Sequence, residues 1–90
     1  MTVSRAEFLR LLPAAVGGER FDPDGADPSV LVHRGQGRRW RIRLVPLPPI
    51  RLGPVAMERF RVDLAFEGYP AGEAEAFVDR FMRHFQRGGG

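Results

Sequence analysis

Arginines at alternate positions are the feature of this 90-residue sequence that is most capable of chemistry. Arg39, Arg41 and Arg43 alternate with large apolar residues, so an extended chain would place their guanidinium groups on one face of a strand. Arg59 and Arg61 repeat the pattern in a later segment. Guanidinium groups bind carboxylates and phosphates through paired hydrogen bonds. These five arginines are therefore candidate binding residues for an acidic partner.

The charge balance leaves the identity of that partner open. All 14 basic residues are arginine, and the formal net charge at pH 7 is +3. Arginines that face one another across neighbouring strands repel, so a counter-charge is expected. It could come from an acidic protein, from nucleic acid phosphates, or from the acidic segment 19–28 folded back within the chain. The absence of lysine indicates a general bias towards arginine, and self-association as a structural homodimer is a further alternative.

Composition excludes several kinds of site. The chain contains no cysteine, which excludes disulfides, zinc thiolate centres and a cysteine nucleophile. Its serines and histidines form no evident pair of nucleophile and base. No glycine-rich loop joins a strand to a helix in the way that phosphate-binding motifs require. We therefore expect a non-enzymatic protein without a metal site or a cofactor.

Hydropathy predicts a soluble, cytoplasmic protein without a membrane partner. No apolar run approaches the roughly 20 residues that a transmembrane helix needs. Charged residues interrupt the N-terminal segment, in contrast to the charged-then-apolar order of a signal peptide.

Two segments have the signature of helices. Ser4 and Glu7 have the spacing of a capping box, which predicts a helix beginning there. Pro13 lacks a backbone donor, so this helix is expected to kink or end near Leu12. Over residues 71–87 apolar side chains recur at helical spacing, with acids early and arginines late, as the helix dipole favours. The sequence thus predicts a single domain over residues 1–87, followed by a flexible glycine tail over residues 88–90.

Three segments between the helices are predicted to be strands, over residues 29–34, 38–45 and 57–67. The last two alternate between apolar and charged residues, which is typical of an antiparallel sheet with one buried and one wet face. The proline-rich link 46–56 is not expected to form a central strand, because prolines lack the backbone donor that a ladder needs. The acidic segment 19–28 is expected to be a turn-rich connection.

Together these elements predict an α+β fold of order α-β-β-β-α, with a three-stranded, mainly antiparallel sheet. Both helices are expected on one face, with an arginine-rich face opposite. The order resembles that of the double-stranded RNA-binding domain. That family holds phosphates with a lysine-rich cluster at the start of its last helix. This sequence has Gly72, Glu73, Ala74 and Glu75 there, which weakens the nucleic-acid interpretation.

The C-terminal segment Arg87-Gly88-Gly89-Gly90 resembles the end of ubiquitin-like modifiers and sulfur carriers. The resemblance covers the last four residues and implies an alternative function. The resemblance implies that an adenylating enzyme would activate the terminal carboxylate of the Gly89-Gly90 tail. In that family a strand leads into the tail, whereas a helix is predicted here, and a C-terminal glycine is also the usual stop of a helix.

Overall fold

A computed structural model describes the chain over residues 3–89, and its side chains over residues 3–85. Its two helices accompany one antiparallel sheet of four strands in the order β1-β2-β3-β4. In chain order the elements are α1 (Arg5–Ala15), β1 (Asp22–Asp24), β2 (Asp27–Arg34), β3 (Arg39–Leu52), β4 (Val55–Glu67) and α2 (Ala71–Gly89). The α+β class is confirmed. The expected number of strands was wrong, because a fourth strand forms within the acidic segment.

Helix α1 begins at the predicted cap and continues past the expected break. The Ser4 side chain accepts a hydrogen bond from the Glu7 amide at 3.1 Å. Pro13 lies inside the helix, yet α1 ends only at Ala15. The amide of Val16 still donates to the Leu12 carbonyl at 3.0 Å. Ala15 and Val16 are fully buried, and their burial offsets the single hydrogen bond that proline removes.

The short strand β1 forms where the sequence predicted only a connection. It pairs antiparallel with β2, which places Asp22 opposite Val32. Between the two strands Asp24 accepts a hydrogen bond from the Ala26 amide at 3.1 Å, the self-capping turn that aspartate favours. The predicted turn chemistry is therefore present, and it closes a hairpin.

The proline-rich segment is part of strand β3, so the prediction of a separate link was wrong. Strand β2 pairs with β3 only as far as Arg43, and β3 then has β4 as its single neighbour. Proline is tolerated on such an edge, where one side of the strand needs no donor. The two consecutive prolines fall at the register shift between Leu47 and Ile50. Strand β3 has 14 residues, and at about 3.3 Å per residue it accounts for most of the 48 Å longest dimension.

Both helices pack on the same face of the sheet. The face carries alternate residues of β3 and β4, as the alternation predicted, and its core includes a fully buried tryptophan. Phe8 of α1 stacks on Phe85 of α2 with 4.7 Å between ring centroids. The main buried side chains are Phe8, Leu12, Val16, Leu31, Trp40, Ile42, Leu44, Phe60, Phe77, Phe81 and Phe85. Neither described helix packs on the opposite face of the sheet, which bears the arginines.

Helix α2 extends further than the sequence indicated. The structure describes it as helical to Gly89, two residues beyond the expected end at Arg87. Gly90 lies outside the described residues. Neither described helix has the length and apolar character that crossing a bilayer requires.

Candidate functional site

The structure brings all five predicted arginines onto one surface. We call this surface, on the side of the sheet opposite the helices, the open face. Strand register places two arginines of β4 on the same side as those of β3. The open face is lined by Val32 and Arg34 of β2, Arg39, Arg41 and Arg43 of β3, and Arg59, Arg61, Asp63, Ala65 and Glu67 of β4.

Acids of β4 provide part of the expected counter-charge. Glu67 lies opposite Arg39, and Asp63 lies opposite Arg43. The Arg39 Nη1 and Glu67 Oε2 atoms are 3.8 Å apart, a loose ion pair between exposed groups. The repulsion that the sequence predicted between the two strands is therefore replaced by attraction at these positions.

Two of the five arginines are already engaged by the hairpin that carries them. The Arg59 guanidinium donates from Nε to the Pro48 carbonyl at 3.0 Å. The Arg61 guanidinium donates to both carboxylate oxygens of Asp63, at 3.0 and 3.2 Å. These contacts fix the side chains of β4 along the strand and leave them less able to bind a partner.

Arg41 and Arg43 differ from the other predicted residues. Both are exposed, and among the described residues neither makes an ion pair or a side-chain hydrogen bond. The neighbours of Arg41 across both strands are apolar, with Val32 on one side and Ala65 on the other. Its guanidinium group is thus free to bind a ligand.

Arg34 belongs to the site although the alternation pattern did not select it. It lies directly opposite Arg39 across the β2–β3 pair, a like-charged arrangement that costs stability. Together with Arg41 these residues border a cavity of about 370 Å³. Its remaining walls come from Asp24, Val32, Trp40, Ala65 and Glu67. The short loop between β2 and β3 could have predicted that Arg34 belongs to this site, because such a loop places Arg34 opposite Arg39.

The acidic segment contributes the Asp24 carboxylate to the cavity and the Asp27 carboxylate to the neighbourhood of Arg43. Within the described part of the chain, Asp24 lines the cavity without an ion pair to any arginine there. Hydrogen bonds from the Ser29 hydroxyl and amide hold the pKa of Asp27 below its ordinary value, and Arg43 and Arg5 lower it further. The acidic segment therefore moderates the positive charge of the open face.

A second polar cluster lies on the helix side of the sheet, between the β2–β3 loop and α2. Arg38 pairs with Glu73 at 2.5 Å and lies over the Tyr69 ring, 5.4 Å from its centroid. Burial raises the pKa of the Tyr69 phenol, and the nearby Glu19 adds to the effect. Arg38 has its acidic partner within the cluster, which is typical of a structural ion pair at an exposed position.

Other kinds of site find no support in the described part of the chain. Within it, no group of three or more histidine, cysteine, aspartate or glutamate residues could hold a metal ion. The hypothesis of a carrier tail at Gly89 and Gly90 stays a prediction, since α2 continues to Gly89 and Gly90 is outside the described residues. Comparison with known proteins found no matching family model, no similar curated protein and no similar solved structure.

Proposed function

We propose that this protein is a small non-enzymatic binding module whose open face binds an acidic segment of a partner protein. The observation that carries the proposal is the cluster of Arg34, Arg39 and Arg41 around one cavity. Among the residues that the structure describes, only Glu67 approaches any of these three guanidinium groups within ion-pair distance. Carboxylates of a partner would complete the neutralisation.

The stability of the fold does not depend on these arginines. Their side chains contribute nothing to the helix-facing core, and Arg34 and Arg39 repel each other across the strands. A residue pair that costs stability yet occupies an exposed surface is typical of a binding site. A partner carboxylate between the two guanidinium groups would turn the repulsion into two attractive contacts.

The charge pattern of the open face and the position of the aromatic side chains favour a protein partner over a nucleic acid partner. Asp63 and Glu67 are interspersed with the arginines, so a continuous polyanion would meet repelling charges along the same surface. Aromatic side chains that could stack on bases lie on the helix-covered side, where Trp40 and Phe60 are buried. A protein segment can place its carboxylates selectively, beside the arginines and away from these acids.

The spacing of the arginines indicates an extended partner. Alternate residues of a strand lie about 6.6 Å apart on one face. Arg39, Arg41 and Arg43 therefore match a peptide in an extended conformation with glutamate at every second position. The probe for this site is a synthetic peptide of alternating glutamate and serine.

The test is a calorimetric titration of the full chain with that peptide at low and at physiological salt. The double variant Arg41→Glu/Arg43→Glu should weaken binding at least about tenfold, because it replaces two attractive pairs with two repulsive ones. Binding of the wild-type protein should also weaken as salt rises.

A matched control has the same change of net charge at a distance from the open face. Arg10→Glu/Arg83→Glu alters two exposed arginines, one on α1 and one on α2, on the side of the sheet away from the open face. Its affinity should stay within about twofold of the wild-type protein. Equal loss in both double variants would show that the peptide responds to net charge alone. Tighter binding of a single-stranded oligonucleotide than of the peptide would identify nucleic acid as the partner and contradict the proposal.

A further inference from the structure

The long hairpin formed by β3 and β4 carries exposed apolar side chains at its end. Leu52, Val55 and Met57 are 62%, 56% and 40% exposed, and they are three of the five exposed large apolar residues among the described side chains. Ile50 lies directly opposite Met57, and Leu52 lies directly opposite Val55. Because cross-strand partners point to the same side of a hairpin, these four side chains form one surface, which we call the hairpin patch.

The hairpin patch lies on the same side of the sheet as the arginines. Arg59 belongs to the open face, and Met57 and Val55 precede it at alternate positions of β4. Between the Leu47–Arg59 pair and the Ile50–Met57 pair, β3 has two residues and β4 has one. The extra residue therefore belongs to β3, and the alternation along β4 is uninterrupted.

The apolar side of the hairpin changes along its length. Near the helices, the apolar side chains of β3 and β4 face the core and the charged ones face outwards. At the end of the hairpin, Arg51, Ala56 and Glu58 lie on the helix side, and the hairpin patch lies on the other. No residue of the patch belongs to the core that the described residues form. Exposed, contiguous apolar side chains that do not serve the core are typical of an interaction surface.

Strand β3 connects the arginines to the hairpin patch. Its side chains on the open-face side are basic first and then apolar, in the order Arg39, Arg41, Arg43, Val45, Leu47, Ile50 and Leu52. Val45 and Leu47 are half-buried, and neither belongs to the core of the described residues. A ligand that lies along β3 would therefore contact guanidinium groups at one end and apolar side chains at the other.

From this order we infer that the partner segment is amphipathic, with acidic residues beside the arginines and large apolar residues on the hairpin patch. The inference rests on the proposed function, because it extends the same bound segment from the open face to the end of the hairpin. Asp63, which lies opposite Arg43, and Met57, which lies opposite Ile50, are six residues apart along β4, or about 20 Å. An extended partner would therefore carry its first apolar residue about six positions beyond its last glutamate.

The charges and prolines of this surface favour such a segment over other occupants. Asp63 and Glu67 lie among the arginines and would repel anionic lipid headgroups. A second copy of the chain would bring the same excess of arginine, so two open faces would repel each other. Pro46, Pro48 and Pro49 cannot donate to an incoming strand, so the segment is expected to bind through side chains on the face of the sheet.

Calorimetric titration of the full chain with two further peptides tests the inference. One has the alternating glutamate–serine sequence followed by a serine spacer and two leucines at alternate positions, the first leucine six residues beyond the last glutamate. The other has serine in place of both leucines. Each is made in both chain directions, because side-chain contacts do not fix the polarity of the segment. In one direction the leucine peptide should bind at least about tenfold more tightly than its serine counterpart.

The variant Leu52→Ser/Met57→Ser removes half of the hairpin patch without changing the net charge. It should lose the tenfold gain that the leucines provide and should bind the serine peptide as the wild-type protein does. The matched control Leu9→Ser/Met82→Ser makes the same two changes at exposed positions of α1 and α2. It should keep the full gain, and a control that loses the gain equally would place the apolar contact elsewhere and overturn the inference.

The remaining outcomes separate this inference from the proposed function. Equal binding of the leucine and serine peptides would overturn the inference and leave the acidic contact intact, whereas no binding of any peptide would overturn both. Binding to phosphatidylglycerol vesicles that requires Leu52 and Met57, without a gain from the leucines, would assign the patch to a membrane surface. A dimer of the wild-type protein that Leu52→Ser/Met57→Ser dissociates would assign the patch to a second copy. Either result would contradict the inference.

A measurement on the wild-type protein decides the matter if the patch variant does not fold by circular dichroism. The methyl group of Met57 should show nuclear Overhauser effects to the leucine methyl groups of the bound peptide. Their absence in a saturated complex would refute the contact.

Discussion

Replacing Arg34 by glutamate should stabilise the protein, although the same change at Arg43 should destabilise it. Arg34 faces Arg39 across the β2–β3 pair, whereas Arg43 faces Asp63 across the β3–β4 pair. Glutamate at position 34 would turn a repulsive pair into an attractive one, whereas glutamate at position 43 would place two acids opposite each other. Both residues are exposed and lie on the same face, so the two variants differ mainly in the charge opposite them.

The expected size of the effect follows from what exposed pairs contribute. A cross-strand ion pair at an exposed position is worth about 0.5 kcal/mol. The free energy of unfolding should therefore rise by about 0.5 kcal/mol in Arg34→Glu and fall by about 0.5 kcal/mol in Arg43→Glu. Asp24 borders the same cavity as Arg34 and would offset a small part of the gain.

Urea denaturation followed by circular dichroism measures both variants. With a slope of about 1 kcal/mol per molar urea, their midpoints should differ by about 1 M. The difference should shrink in 1 M salt, where charges are screened beyond about 3 Å. Equal destabilisation of both variants, or a difference insensitive to salt, would refute the assignment of cross-strand partners.

Two further predictions concern the fold. Gly68→Ala should destabilise by more than about 1 kcal/mol, because Gly68 has φ of +74° and an added Cβ would meet the Gly37 carbonyl. Gly53→Ala has a similar φ of +62° but open space, so urea denaturation should show a smaller loss, and equal losses would exclude the clash. The lowered pKa of Asp27 means that its stabilising contribution is present above its ordinary pKa of 3.8 and is lost as pH falls through the folded value. Ser29→Ala should raise the pKa of Asp27 in a carboxyl NMR titration, and an unchanged pKa would contradict the assigned cause.

Alternation along the strands was sufficient to predict the open face. A period of two residues assigns each side chain to a face without any knowledge of the partner strand. Arg39, Arg41 and Arg43 therefore lie together as expected, with Arg59 and Arg61 on the same side. The prediction of the helix cap at Ser4 likewise depended only on neighbouring residues, and it was confirmed.

The charge partners could not be predicted, because they depend on register. The turn after Leu52 sets the register between β3 and β4. The sequence did not predict that β3 extends to Leu52, because its prolines argued against a strand there. Proline argues against a central strand only where both sides of the strand are paired. Beyond Arg43, strand β3 is paired on one side only. This depends on the tertiary arrangement of the strands and cannot be predicted from local sequence. That Arg43 lies opposite Asp63, and Arg39 opposite Glu67, followed only from the structure.

The most direct test of the proposed binding face is an NMR titration of the full chain with the alternating glutamate–serine peptide. Backbone amides of β3 around Arg39, Arg41 and Arg43 should shift with a common dissociation constant, together with those around Arg34 on β2. Amides of α1 and α2 should not shift. Shifts confined to the helices, or none at peptide concentrations that saturate a millimolar site, would contradict the proposal that the open face binds an acidic partner.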